Sequence, residues 1–359
     1  MPPDSFRISS QDLYSDKVEE VLETQAYLTR DIGEVEGLSL IQRVLFSSWL
    51  YLAFWGMIGG LLGWGLLEPF FDDNEMVGGD GTQLLAAILM FPVVAGCVGL
   101  LLGAAEGVMC RNPIRAMTSG AVGLGVGFGG GLVAMIPTGI VFSIMTAISM
   151  SFMKHPPGPG EMPGGLALLI FIMGRAMAWA IIAIPAGIGQ GIAIKERKVI
   201  MNGLLGAVMG GFVGGMFFDP ISFVLVTADG QATYSRGAGF AVIGLVVGLM
   251  IGLVEGWTKN AWLLMRKGPL AGKQFIMFKD TTVLGSSPKA EIYLFKDDAI
   301  EPKHAVIYNR GGRFEIEDCG TPDGTYVNGV AIKRTYLKPG DQIVMGKTVL
   351  EFALRESRS

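Results

Sequence analysis

Long apolar runs separated by short polar loops fill the middle of this chain. A helix needs about 20 apolar residues to cross ~30 Å of hydrocarbon. Six segments are long enough: 44–67, 83–109, 116–153, 166–194, 200–226 and 238–264. The third contains Pro137 and precedes the loop KHPPGPGEMPGG, and the third and fourth are overlong. Upstream, residues 10–32 carry a helical pattern, with Ser15 as a capping candidate and Leu13, Val21, Leu22 and Leu28 on one stripe. Downstream the period changes. Between 275 and 354, strand-like runs (FIMF, EIYLF, HAVIYN, RFEIED, QIVMG, VLEFAL) alternate with the turn signals RGG, TPDG, VNG and KPGD. Short strands at that spacing predict an all-β sandwich. The expected fold is therefore an α-helical polytopic membrane bundle followed by an all-β sandwich. The expected boundaries are a partly helical segment 1–43, a six-span domain 44–264, a linker 265–274, the sandwich 275–354 and a tail 355–359.

Charge sharpens this division. Residues 44–264 hold 20 Asp, Glu, Lys and Arg in 221 positions, and the flanks hold 40 in 138. Residues 1–43 are mixed polar and charged, so they do not read as a signal peptide, and the first span is expected to be a retained anchor. Spans two, four and six are followed by Arg111 and Arg115, by Lys195, Arg197 and Lys198, and by Lys259, Arg266 and Lys267. The opposite loops carry Lys154 and Arg236 alone. The positive-inside rule then puts both termini in the cytoplasm of a cell with this protein in its inner (plasma) membrane. A net charge of −4 predicts no nucleic-acid partner. Three cysteines (Cys97, Cys110, Cys319) and two distant histidines (His155, His304) predict no disulfide framework and no metal site. No nucleophile–base pair or Walker loop is present, and GLGVGFGGG lies within a span, so the expectation is no cofactor and no enzymatic activity.

The span region repeats itself. Spans two, four and six end with an acid or amide before glycine: Glu106-Gly107, Gln190-Gly191 and Glu255-Gly256. Basic residues follow each, and another glycine comes 12 or 13 positions on, at Gly120, Gly203 and Gly268. Spans one and five share an echo, LLEPFFDD and GMFFDPIS. This predicts three helical hairpins in series, 84 and 65 residues apart (190 − 106 and 255 − 190). The middle hairpin carries about 19 extra residues around 138–174, either as longer helices or as an interfacial insertion.

Glycine recurs every fourth residue in Gly99, Gly103 and Gly107; Gly123, Gly127 and Gly131; Gly206, Gly210 and Gly214; and Gly244, Gly248, Gly252 and Gly256. That spacing places small residues in one helical stripe, where backbones can approach closely in lipid. Packing within one chain is the expected use, and packing between copies in a homo-oligomer is the alternative. Glu106, Gln190 and Glu255 form a candidate polar cluster where the spans meet the cytoplasm. Pairing with nearby basic residues, such as Arg111, Arg115 or Lys259, is the expectation, and a cation or proton site is the alternative. Arg175 joins these polar residues; it is expected to snorkel at the outer interface, and the alternative is a buried charge and functional candidate.

The C-terminal segment resembles the forkhead-associated (FHA) family of phosphothreonine-binding domains. The resemblance rests on Leu284-Gly285, IEPKHA at 300–305, DCGTPDGTYVNG at 318–329 and PGDQIVMG at 339–346. It implies that Gly285 precedes the phosphate-binding arginine, whose position is Ser286 here. It places Glu301 where a phosphate-binding serine would stand, and Pro322-Asp323 where a Thr-Asn pair would grip phosphate and peptide backbone. His304 is retained as the loop brace, and Asn328-Gly329 as a turn. Lys289 and Lys303 stand near this face and could compensate in part, since lysine binds phosphate as a point charge. A phosphothreonine carries about −1.5 to −2 charge and calls for arginine. A face offering two carboxylates and no arginine predicts weakened or lost phosphothreonine binding.

The functional expectation is a membrane scaffold or signalling adaptor that presents an FHA-like module to a cytoplasmic protein or peptide partner. The alternative is a small transporter or channel regulated by an FHA-like module that still binds phosphothreonine.

Overall fold

The computed structural model describes residues 39–70, 81–153, 163–225 and 232–355. The helical pattern at 10–32 lies outside them. Residues 44–259 form one compact unit, and the chain from Asn260 onward belongs to another.

The first unit is built from six long helices that follow a short helix α1 (Leu40–Leu45). They are α2 (Ser48–Leu67), α3 (Gly81–Met109), α4 (Pro113–Ser151), α5 (Gly165–Ile194), α6 (Arg197–Leu225) and α7 (Thr233–Thr258). All six are long and apolar enough to cross a membrane. Among its described residues the overlong middle segment is made of long helices: α4 has 39 residues and α5 has 30. Each helix packs on its neighbours in chain order, and α7 packs extensively on α2, so the six close into a ring. An apolar cluster fills the interior, with Val94, Val98 and Leu102 meeting Trp179, Ile182, Phe240 and Val247.

Facing glycine pairs join α3–α4, α5–α6 and α7–α2, and α4 and α5 pack on each other as extensively. A methyl group on Gly99 would strike the Gly123 carbonyl, and one on Gly123 would strike that of Gly99. The same reciprocal contact joins Gly187 to Gly203 and Gly56 to Gly244. Gly103 and Gly187, 84 residues apart, lie against the carbonyls of Ser119 and Gly203, also 84 apart. Gly127 and Gly131 pack on Ala95 and Pro92; Gly206, Gly210 and Gly214 pack on Ile251, Val247 and Ile243. Gly248 and Gly252 pack on Leu52 and Trp49. Gly256 departs from the expected stripe, since open space surrounds it where the chain leaves α7.

Two corners repeat the same geometry. The α3–α4 turn puts Arg111 at φ 50°, and the Gly107 carbonyl accepts the Asn112 N–H at 2.8 Å. The α5–α6 turn puts Lys195 at φ 57°, and the Gly191 carbonyl accepts the Glu196 N–H at 3.1 Å. Asn112 caps α4, its side chain accepting the Arg115 N–H at 3.0 Å, with Pro113 beginning the helix.

The expected sixth span and linker need correction. The last helix ends at Thr258, and 261–267 is a β-strand instead of span and linker. AWLLM is a continuous apolar run, which looks like the end of a span. In the structure it alternates, burying Ala261, Leu263 and Met265 on one face, as a strand does.

The second unit is a sandwich of two sheets. The strands are β1 (Ala261–Lys267), β2 (Gln274–Ile276), β3 (Thr281–Gly285), β4 (Ile292–Tyr293), β5 (Ala305–Arg310) and β6 (Arg313–Asp318). They continue with β7 (Thr325–Val327), β8 (Val330–Ile332), β9 (Arg334–Tyr336), β10 (Gln342–Met345) and β11 (Thr348–Leu354). One sheet runs β2-β1-β11-β10-β7-β8 and the other β4-β3-β5-β6-β9. Leu263, Leu284, Ile307, Ile316, Ile343, Leu350 and Phe352 fill the space between them. Asn328 (φ 52°) and Gly329 (φ 85°) make the two-residue β7–β8 turn, whose left-handed backbone suits Asn-Gly.

Candidate functional site

Three loops at one end of the sandwich converge on His304, which is fully enclosed. The loop after β3 begins at Ser286, the loop before β5 carries Glu301 and Lys303, and the β6–β7 loop carries Thr321, Pro322 and Asp323. Gly285 lets the first two touch, because a methyl group there would run into the Pro302 carbonyl. The Ser286 N–H then donates to the Glu301 carbonyl at 2.9 Å. His304 ties in the rest. Its N–H donates to Leu284 O and its carbonyl accepts from Cys319 N–H, both at 2.9 Å. Its Nδ1 accepts the Glu301 N–H at 3.1 Å, which puts the ring proton on Nε2, 3.2 Å from the Gly324 carbonyl. The Thr321 hydroxyl lies 3.4 Å from the same nitrogen.

Asp318 organises the third loop. One carboxylate oxygen accepts the N–H groups of Gly320 (2.8 Å) and Thr321 (3.0 Å); the other accepts the hydroxyls of Thr321 (2.8 Å) and Thr325 (2.7 Å). Burial pushes this carboxyl up, but those four hydrogen bonds outweigh it and hold Asp318 below the usual carboxylate range. Asp318, Thr321 and Thr325 did not stand out in the sequence. The available signal was the spacing Asp-x-x-Thr at a strand end, a local side-chain-to-backbone pattern.

Glu301, Lys303, Pro322 and Lys289 are exposed, and Ser286 and Asp323 are half-buried. Asn328 serves elsewhere. Its amide donates to Asp341 at 2.8 Å and its oxygen accepts the Gln342 N–H at 2.9 Å, so both ends brace the turn. The loops are thus held in place while the side chains at the expected phosphate positions are a hydroxyl and two carboxylates.

Residues 282–346 match the family model for the FHA domain. An oxoglutarate dehydrogenase inhibitor from Corynebacterium jeikeium is 37% identical over 100 residues, covering 28% of this chain and 69% of that protein. The chain belongs to the FHA family. The glycogen accumulation regulator GarA of Mycolicibacterium smegmatis is 36% identical, over 28% of this FHA protein and 63% of its own length. Among solved structures, an FHA domain from Arabidopsis thaliana is 29% identical, covering 28% of this chain and 91% of that one, with a TM-score of 0.26. FHA domains are phosphothreonine-binding protein-interaction modules. The matched family segment leaves the six helices outside it.

The polar residues of the helical unit occupy different places. Glu106 pairs with Arg115 at 3.0 Å across the α3–α4 corner. Gln190 is half-buried near the end of α5, and Glu255 is buried in the last turn of α7. Arg175 departs from simple snorkelling. Its Nε lies 3.0 Å from Oδ1 of the buried Asp219 on α6, an ion pair without hydrogen-bond alignment. The guanidinium also lies 5.2, 5.1 and 5.5 Å from the ring centres of Phe142, Phe171 and Phe218. Asp219 lies 44 residues from Arg175 (219 − 175), so no local pattern announced the pair. Glu68 and Arg236 form a second pair, at 2.6 Å, between α2 and α7.

Proposed function

We propose that this protein is a membrane-anchored adaptor whose FHA domain recruits a cytoplasmic protein partner without relying on phosphothreonine. The observation that carries the proposal is the contrast at the His304 end of the sandwich. The backbone frame is intact, with Gly285, His304 and Asp318 holding three loops together. The side chains at the phosphate positions are Ser286, Glu301 and Asp323. A carboxylate facing a phosphate is repelled, and without an arginine no bidentate pair compensates. Lys289 and Lys303 lower that repulsion and supply no fork.

The six helices serve as the anchor, with both termini cytoplasmic. Their role is to hold the module at the membrane surface, and the protein works by binding, with no catalysis. The apolar cluster of Val94, Val98, Leu102 and Val247 inside the ring, with the buried charges Arg175 and Asp219 paired to each other, disfavours a conducting or transporting role. Capture of partners by the full-length protein from a lysate, before and after phosphatase treatment, tests this reading. The same partner recovered in both cases is the expected result. Loss of every specific partner after phosphatase would contradict it.

A further inference from the structure

The α5–α6 corner gathers basic residues that packing does not explain. Lys195, Arg197 and Lys198 are all exposed within four positions, beside the half-buried Glu196. Lys195 takes a left-handed backbone, φ 57°, where glycine would sit without penalty. The corner 84 residues earlier makes the same choice, with Arg111 at φ 50°. Both turns are closed by backbone hydrogen bonds, Glu196 N–H to the Gly191 carbonyl and Asn112 N–H to the Gly107 carbonyl. The chain thus accepts a strained conformation and places a cation at the tip of each turn.

We infer that Lys195, Arg197 and Lys198 form a binding site for the phosphate of anionic phospholipid headgroups on the cytoplasmic leaflet. This rests on the membrane reading above. Charge complementarity identifies the ligand. Lys195 stands in the two-residue turn between two apolar helices, Gly165–Ile194 and Arg197–Leu225, and Arg197 and Lys198 stand in the first turn of the second, where the headgroup layer of a bilayer would meet all three. Each basic residue near an anionic surface contributes enough to change occupancy about fivefold. Zwitterionic headgroups carry no net charge and gain little. The site would make the orientation and stability of the ring depend on lipid composition.

The test uses the full-length protein in nanodiscs of phosphatidylcholine with a minor fraction of phosphatidylglycerol. Spin-labelled versions of each lipid report the fraction immobilised at the protein surface. The wild type should hold phosphatidylglycerol in preference to phosphatidylcholine, and inorganic phosphate at millimolar concentration should not displace it. Lys195→Gly should weaken that preference roughly fivefold while leaving the thermal midpoint unchanged or higher, since glycine relieves the backbone. Lys195→Asn, which also tolerates the left-handed region, should behave alike. Adding Arg197→Gln and Lys198→Gln should abolish the preference. Equal immobilisation of both lipids by the wild type, or a preference surviving in the triple variant, would overturn the inference. A chain that fails to enter nanodiscs would refute the membrane reading itself, an outcome seen before any lipid preference is measured.

Discussion

His304 is a buried imidazole whose two ring nitrogens face opposite loops, Glu301 on one side and Gly324 and Thr321 on the other. Replacing it with alanine leaves the Glu301 N–H without its acceptor and opens a cavity. His304→Ala should destabilise the sandwich by about 2–4 kcal/mol, read from urea unfolding of the FHA transition. Asp318 gives a pH signature. Its folded pKa lies below its unfolded value, so its contribution is complete above the ordinary carboxylate range and is lost as pH falls through the depressed pKa. Asp318→Asn should therefore cost stability at neutral pH, and the gap from wild type should close under strong acid. A gap that persists unchanged at low pH would contradict this assignment. At this scale His304 and the Asn328-Gly329 turn were legible in the sequence. Asp318 was not singled out, because its work is done by four short-range hydrogen bonds that only the folded loop brings together.

Elements meet through glycine in the helical unit. Gly248 sits against the Leu52 carbonyl, so Gly248→Leu must force α7 away from α2. A marked drop in thermal midpoint in detergent is expected. Gly125 has open space around it and lies mid-helix. Gly125→Ala should leave stability unchanged or raise it by up to about 1 kcal/mol, the gain in helix propensity. The opposite signs of these two substitutions distinguish a packing stripe from a general glycine preference. The four-residue spacing predicted close approach of helices without naming the partners. It did not say that α2 would close onto α7, since Gly56 and Gly244 stand 188 residues apart (244 − 56) and each helix taken alone suits several partners. Strand β1 was hidden for a related reason. Burial on alternate positions cannot be told from an apolar run when Trp262 and Leu264 are themselves apolar.

For the whole molecule, two units of different chemistry were visible from charge density alone, about three times higher in the flanks than in the span region. The FHA domain sets Ser286, Glu301 and Asp323 on a frame held by Gly285, His304 and Asp318. The frame was legible in the spacing of Gly285, His304 and Asn328-Gly329. The partner was not, because on the reading proposed above it is chosen by the loop surface that Glu301, Lys303 and Asp323 present together. The most direct measurement is a calorimetric titration with matched threonine and phosphothreonine peptides. It compares the wild type with a variant carrying Ser286→Arg and Glu301→Ser. The wild type should gain no affinity from the phosphate, and the double variant should gain phosphate-dependent binding. Micromolar, phosphate-dependent binding by the wild-type protein would contradict the account.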